Sequence, residues 1–117
     1  MTDPKIILIL DDWIFLRKLL CRFLDRRGFF SVGVGTVDEA EATLNQVQVD
    51  LAILDFQLAE GTSEPLFEIL YDRGIPFVIH TGDPISAREA ASDLPMEIWE
   101  KGLSGKEIGR RVGEILG

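Results

Sequence analysis

Cysteine is nearly absent. A single one, Cys21, excludes an intrachain disulfide and any zinc or iron–sulfur site built on a cysteine cluster. Histidine is equally scarce. His80 is the only one, and its place at a strand end reads as a buried neutral side chain rather than a phosphohistidine. No stretch approaches the ~20 apolar residues of a membrane span. The longest N-terminal apolar run, Ile6 to Leu10, is too short for a signal segment and stops at Asp11-Asp12. Cations are few: Lys plus Arg is 12 against 20 for Asp plus Glu, a formal net charge of −8. A surface this acidic repels phosphates, which argues against nucleic-acid binding. No Lys or Arg at all occurs between Arg27 and Arg73, while that interval holds Glu60, Glu64, Glu68 and other acids. What is present is an ordinary globular mixture, 46% hydrophobic and 27% charged, over 117 residues. Those figures predict one folded domain over 1–117, in a reduced, cytoplasmic setting and with no membrane partner.

The hydrophobic pattern alternates between two periods. Lys5 to Leu10 reads as a strand buried on both faces. Asp12 can then cap a helix whose apolar positions are Leu16, Leu19, Leu20, Phe23 and Leu24, ending at Gly28. Strand signals recur at Phe29–Val34, Leu51–Leu54, Phe77–His80 and Met96–Glu100. Helical segments lie between them, at Val37–Val47, from Pro65 to about Asp72, at Ile85–Ser92 and at Leu103–Leu116. Residues Gln57 to Ser63 read as a loop. Strict alternation predicts an α/β fold, a five-stranded parallel sheet with helices on both faces. The first and last helices are comparatively basic, so a shared face would make the molecule bipolar.

In an open parallel sheet, functional groups gather beyond the carboxyl ends of the strands. Asp11 and Asp12 end the first strand, Asp55 the third, Thr81 the fourth and Lys101 the fifth. The strands themselves are apolar, so polar residues at successive ends form a pattern rather than a scatter. Three close carboxylates repel one another unless a cation sits among them. Mg2+ suits such a site because it takes carboxylates and keeps waters for phosphate oxygens. A carboxylate can also attack a phosphoryl group. Lys101 and the Thr81 hydroxyl are then the groups available to neutralise the equatorial oxygens.

This ordered set resembles the receiver domain of two-component response regulators, over the whole chain. The resemblance implies a flavodoxin-like, doubly wound sheet in the order 2-1-3-4-5 with a short fourth helix. It also implies roles. Asp55 is the phosphoacceptor, Asp12 a direct Mg2+ ligand and Asp11 a ligand through water. Gln57 lends its backbone carbonyl to the metal. Lys101 pairs with the acceptor carboxylate and then the phosphoryl, and Thr81 is the switch hydroxyl. The implied partner is a histidine kinase or histidine phosphotransfer protein, with a downstream protein target or a homodimer as output. The implied chemistry is self-phosphorylation and self-dephosphorylation, not turnover of a separate substrate.

The chain departs from the family at several points. No Met-Pro pair follows Asp55, although Gly61 can supply the turn. Gly102, not proline, follows Lys101, and without proline a trans bond is expected. The position three residues before Lys101 is Ile98 rather than an aromatic, and the adjacent Trp99 belongs to the opposite strand face. These departures leave a second reading, a receiver-fold binding module independent of phosphorylation. A third, a small aspartate-nucleophile phosphatase, is weakened because Gln57 stands where a second carboxylate is needed.

Three further signals carry readings. Trp13, Ile14 and Phe15 crowd the start of the first helix, either capping the sheet end or forming a docking patch, with Arg17, Lys18 and Arg22 to steer an acidic partner. Gly105, Gly109, Gly113 and Gly117 recur every four residues, either fraying the last helix or making a shelf for another helix. Gln57 and Asp83 flank the expected phosphoryl position and are candidates to tune the acyl-phosphate lifetime.

Overall fold

The computed structural model describes residues 3–117. In chain order the elements are β1 (Ile6–Leu10), α1 (Ile14–Arg26), β2 (Phe30–Val34), α2 (Val37–Gln46), β3 (Leu51–Asp55), β4 (Gln57–Leu58), β5 (Gly61–Thr62), α3 (Pro65–Asp72), β6 (Phe77–Thr81), α4 (Pro84–Ala91), β7 (Glu97–Glu100) and α5 (Gly105–Leu116). Five strands form a parallel sheet in the order β2-β1-β3-β6-β7, which is the expected 2-1-3-4-5 winding. The expected loop at Gln57–Ser63 instead contains a small antiparallel hairpin, β4 against β5. Gly61, at φ 126°, closes its turn, a backbone conformation that a side chain resists.

Strand alternation divides the core in two. Ile7, Ile9, Leu51, Ile53 and Val78 face α1 and α5, where they meet Leu20, Leu24, Trp99, Ile108 and Val112. Leu8, Leu10, Leu54 and Ile79 face the other way, onto Leu44, Leu66, Phe67 and Ala87 of α2, α3 and α4. Burial on both faces is why β1 and β3 read as unbroken apolar runs. Trp99 lies in the first core, beneath the guanidinium of Arg111 at 5.6 Å from the ring centroid. Ile98 packs on the second. The one-residue offset read from the sequence therefore places Trp99 on the α5 side.

The caps show how the ends are fixed. Asp12 does not cap α1. The N-cap is Trp13, without a side-chain cap, and the Asp11 carboxylate accepts the Trp13 N–H at 2.9 Å. Asp12 thereby keeps its carboxylate free and exposed at the sheet end. Thr36 accepts from the Glu39 N–H, and Glu39 reaches back to the Gly35 N–H, a reciprocal cap on α2. Asp83 caps α4, accepting from the Ser86 N–H and the Ser86 hydroxyl.

The glycines of α5 have a cause internal to the fold. A Cβ on Gly105 would sit 2.1 Å from the Phe23 ring, and one on Gly109 would sit 2.2 Å from Cδ of Arg27. The bare shelf is filled by the chain's own α1, so these two positions are neither a frayed end nor a free surface. Gly113 has open space around it. With α1 packed on α5, the two basic helices do share one face, as a bipolar molecule requires.

Candidate functional site

Parallel winding brings the carboxyl ends of β1, β3, β6 and β7 to one edge of the sheet. Asp11 and Asp55 are buried there, and Asp12 is exposed. The three carboxylates each offer an oxygen, all within 4.8 Å of one another. Lys101 extends its ammonium into the same cluster. Its Nζ lies 3.2 Å from Asp55 Oδ2 and 3.6 Å from Asp11 Oδ2. The strand end is held in place by the Lys101 N–H, which donates to the Thr81 carbonyl at 2.8 Å. The arrangement is a triad of carboxylates with one cation lying against two of them.

The electrostatics follow from crowding in a dry place. Burial pushes the Asp55 carboxyl up to about 6, and the neighbouring Asp11 and Asp12 charges push in the same direction, while Lys101 opposes them. A carboxylate held at that value is destabilised as an anion and gains when a further cation arrives. The hard, all-oxygen donor set fits Mg2+.

The remaining candidates stand around this centre. Thr81 is buried at the end of β6, one residue beyond the Asp55–His80 register pair. Its hydroxyl oxygen accepts the Asp83 N–H at 3.0 Å. Gln57 is exposed, two residues past Asp55, where the hairpin begins. Asp83, a candidate to tune the site, spends its carboxylate on Ser86, and those bonds hold it below the usual carboxylate range. Trp13 and Phe15 are 59% and 74% exposed, so the aromatic start of α1 does not serve as core. The peptide bond between Lys101 and Gly102 is trans, and Gly102 has φ 119°.

His80 is the element that sequence reasoning undervalued. It is 2% exposed, and neither ring nitrogen has a hydrogen-bond partner. Burial, reinforced by the nearby Lys101 charge, holds it down to about 4 although Asp11 pulls the other way. The ring is therefore neutral at pH 7, as the sequence suggested. Its missing partners leave a polar group on the α1–α5 side of the sheet where an aliphatic residue would pack at lower cost. No spacing rule announces an orphaned ring.

Comparison with known proteins gives a consistent picture. No family model matches the chain. A response regulator receiver domain from Methanospirillum hungatei superposes with a TM-score of 0.88 at 20% identity, covering 97% of this chain and 94% of that one. The fold is that of response regulator receivers. TrrA, a response regulator of Thermotoga maritima solved in complex with Mg2+-BeF, gives a TM-score of 0.80 at 22% identity over 96% of this chain and 99% of that one. The phosphate regulon transcriptional regulatory protein PhoB of Klebsiella pneumoniae is 28% identical over 119 aligned residues, 94% of this chain and 51% of that protein. PhoB of Escherichia coli matches to the same extent. The chain thus spans about half the length of the curated relatives it matches. Among the described residues, no helix of this receiver fold is long and apolar enough to cross a membrane.

Proposed function

We propose that the chain is a phosphoacceptor of a two-component or phosphorelay system, with Asp55 as the acceptor. The observation that carries this reading is the Asp55 carboxylate at the end of the central strand, flanked by Asp11 and Asp12 and by the Lys101 ammonium at 3.2 Å. Asp55 Oδ attacks the phosphorus of a phosphohistidine on a kinase or phosphotransfer protein. The new O–P bond forms as the P–N bond breaks, and the imidazole leaves with the electron pair. Asp12 and Asp55 would hold Mg2+, with Asp11 acting through water and the Gln57 carbonyl completing the protein's share. When bound, the ion neutralises charge on the phosphoryl oxygens. Lys101 is placed to leave Asp55 for a phosphoryl oxygen. The Thr81 hydroxyl must give up the Asp83 N–H, or share it, to follow.

The exposed Trp13 and Phe15 lie beside this centre, with Lys18 and Arg22 on the next two turns of α1. They suit docking of the donor protein, acting at the cytoplasmic side of the pathway. The output does not use a threonine–aromatic relay of the usual kind, because Trp99 is buried under Arg111 on the far side from Ile98. That same observation favours a second reading, a receiver-fold binding module that signals without phosphorylation.

Intact mass after incubation with a small phosphodonor and Mg2+ separates the two. One added phosphoryl group, absent in Asp55→Ala and after EDTA, supports the phosphoacceptor. No addition from the small donor or from phosphorylated histidine kinases, together with no Mg2+ affinity, sinks it in favour of the binding module.

A further inference from the structure

A groove of about 1040 Å³ runs between α3 and the end of α4. Its accessible apolar lining is Pro65, Ala90, Leu94 and Pro95, over the buried Phe67, and the exposed ring of Tyr71 stands at one end. Its rim is acidic throughout. Glu64 at the N-cap of α3 and Glu68 and Tyr71 within it follow one another at four- and three-residue spacing, so they share a stripe facing the groove. Glu60 joins them from the hairpin tip, and Asp93 lies opposite, just past the end of α4. That end also carries the negative pole of the helix dipole.

The chain's own cations do not neutralise this rim. Among the described residues, none of the four carboxylates is in an ion pair. The two arginines on the flanking elements are turned away and engaged. Arg73 donates to the Leu44 carbonyl and the Asn45 side chain on α2. Arg88 donates to the Met96 carbonyl. The groove therefore combines apolar surface, an exposed aromatic face and uncompensated negative charge from two helices.

We propose that this groove docks a basic amphipathic segment of a partner protein, with apolar side chains against Leu94 and Pro95 and arginines on the carboxylate rim and the Tyr71 face. Charge complementarity selects this occupant. An acidic or neutral segment would leave the rim unpaired, and a second copy of a chain with net charge −8 is repelled overall. Guanidinium over Tyr71 adds a cation–π contact. The groove is separate from the Asp55 centre, and the inference does not require phosphorylation.

The probe is a short synthetic peptide with arginine and leucine on one helical face and serine and glutamine on the other. A matched peptide with glutamate for arginine is the control. Amide shifts of the nitrogen-15-labelled full chain are followed during titration, for the parent protein and for Asp55→Ala. The expected result is saturable shifts confined to residues 60–71 and 90–95 in both proteins, and none with the glutamate peptide. Glu64→Lys/Glu68→Lys should weaken binding by about tenfold or more. Asp25→Lys/Glu114→Lys, the same charge change on the α1–α5 side of the sheet, should change it less than about twofold. The milder Glu64→Gln/Glu68→Gln pair keeps the test readable if reversal disturbs α3. Equal weakening by the α3 variant and the variant on the α1–α5 side would overturn the proposal in favour of diffuse attraction. Shifts centred on α1 would overturn it as the wrong surface. A salt-sensitive dimer broken by Glu64→Lys/Glu68→Lys would overturn the occupant, assigning the groove to a second copy.

Discussion

The two sides of the sheet are built to different tolerances. On the α1–α5 side the helices touch through glycine, with Phe23 over Gly105 and Arg27 over Gly109. On the other side α3 and the short α4 stand apart and leave a groove. The close side also carries the buried ionisable groups of the strand ends: by strand alternation Asp11, Asp55 and His80 all belong to it. Tight packing excludes water there and makes each charge expensive, which is how Asp55 comes to be held near 6. The open side spends its carboxylates at the solvent surface, where they cost little. One helix pair thus backs the proposed phosphoacceptor centre, while the other borders the proposed docking groove.

The largest way to break this contrast is to remove the cation from the close side. Lys101→Met should slow phosphoryl transfer to Asp55 by about 10²–10³-fold. It should also move the pH at which Asp55 reacts upward, because the ammonium is the group opposing burial. Initial rates by intact mass across pH 5 to 8, about the range where the site titrates, check both.

Gly105→Leu tests whether the close contact is required. The new side chain begins inside the Phe23 ring, and overpacking should cost about 1–3 kcal/mol in urea unfolding. An unchanged midpoint would show that α5 can slide away from α1, which removes the distinction between the two sides.

The pH profile of stability sharpens the comparison. Burial lowers His80 to about 4 from its ordinary 6.5, so the folded state refuses a proton that the unfolded chain takes. Its contribution is full above pH 6.5 and is lost as the pH falls toward 4. Asp55 is raised to about 6 from 3.8, so the folded state takes the proton first and gains stability as the pH falls from 6 toward 3.8. The two trends oppose each other in one window. Thermal melts of the metal-free protein should be nearly flat with pH there. Asp55→Asn should expose the His80 trend, with Tm dropping on acidification, and His80→Leu the reverse.

The smallest effect is at Gly113. It is helical, has open space around it and touches nothing on α1. Gly113→Ala should stabilise the chain by about 0.8–1.0 kcal/mol, opposite in sign to Gly105→Leu on the same helix. Urea midpoints measured side by side decide whether the glycine ladder is one motif or two unrelated halves.

Much of the fold was legible in the sequence because its signals are local. Apolar runs in β1 and β3, the positive-φ glycines at Gly28 and Gly74, and Pro65 opening α3 each mark structure within a few residues. Alternation of strands and helices then predicts a parallel sheet, and the gathering of Asp11, Asp12, Asp55 and Lys101 followed from the strand ends, while the strand order came from the resemblance to receiver domains. Other features depend on residues far apart in the chain. The α5 glycines look alike in sequence, and only the position of α1 divides them into contact and free space. The missing partners of His80 and the acidic groove between α3 and α4 are likewise properties of what lies across a gap. Local periodicity records which face a residue takes. Only packing decides what stands opposite it, because that distance is set by the whole sheet.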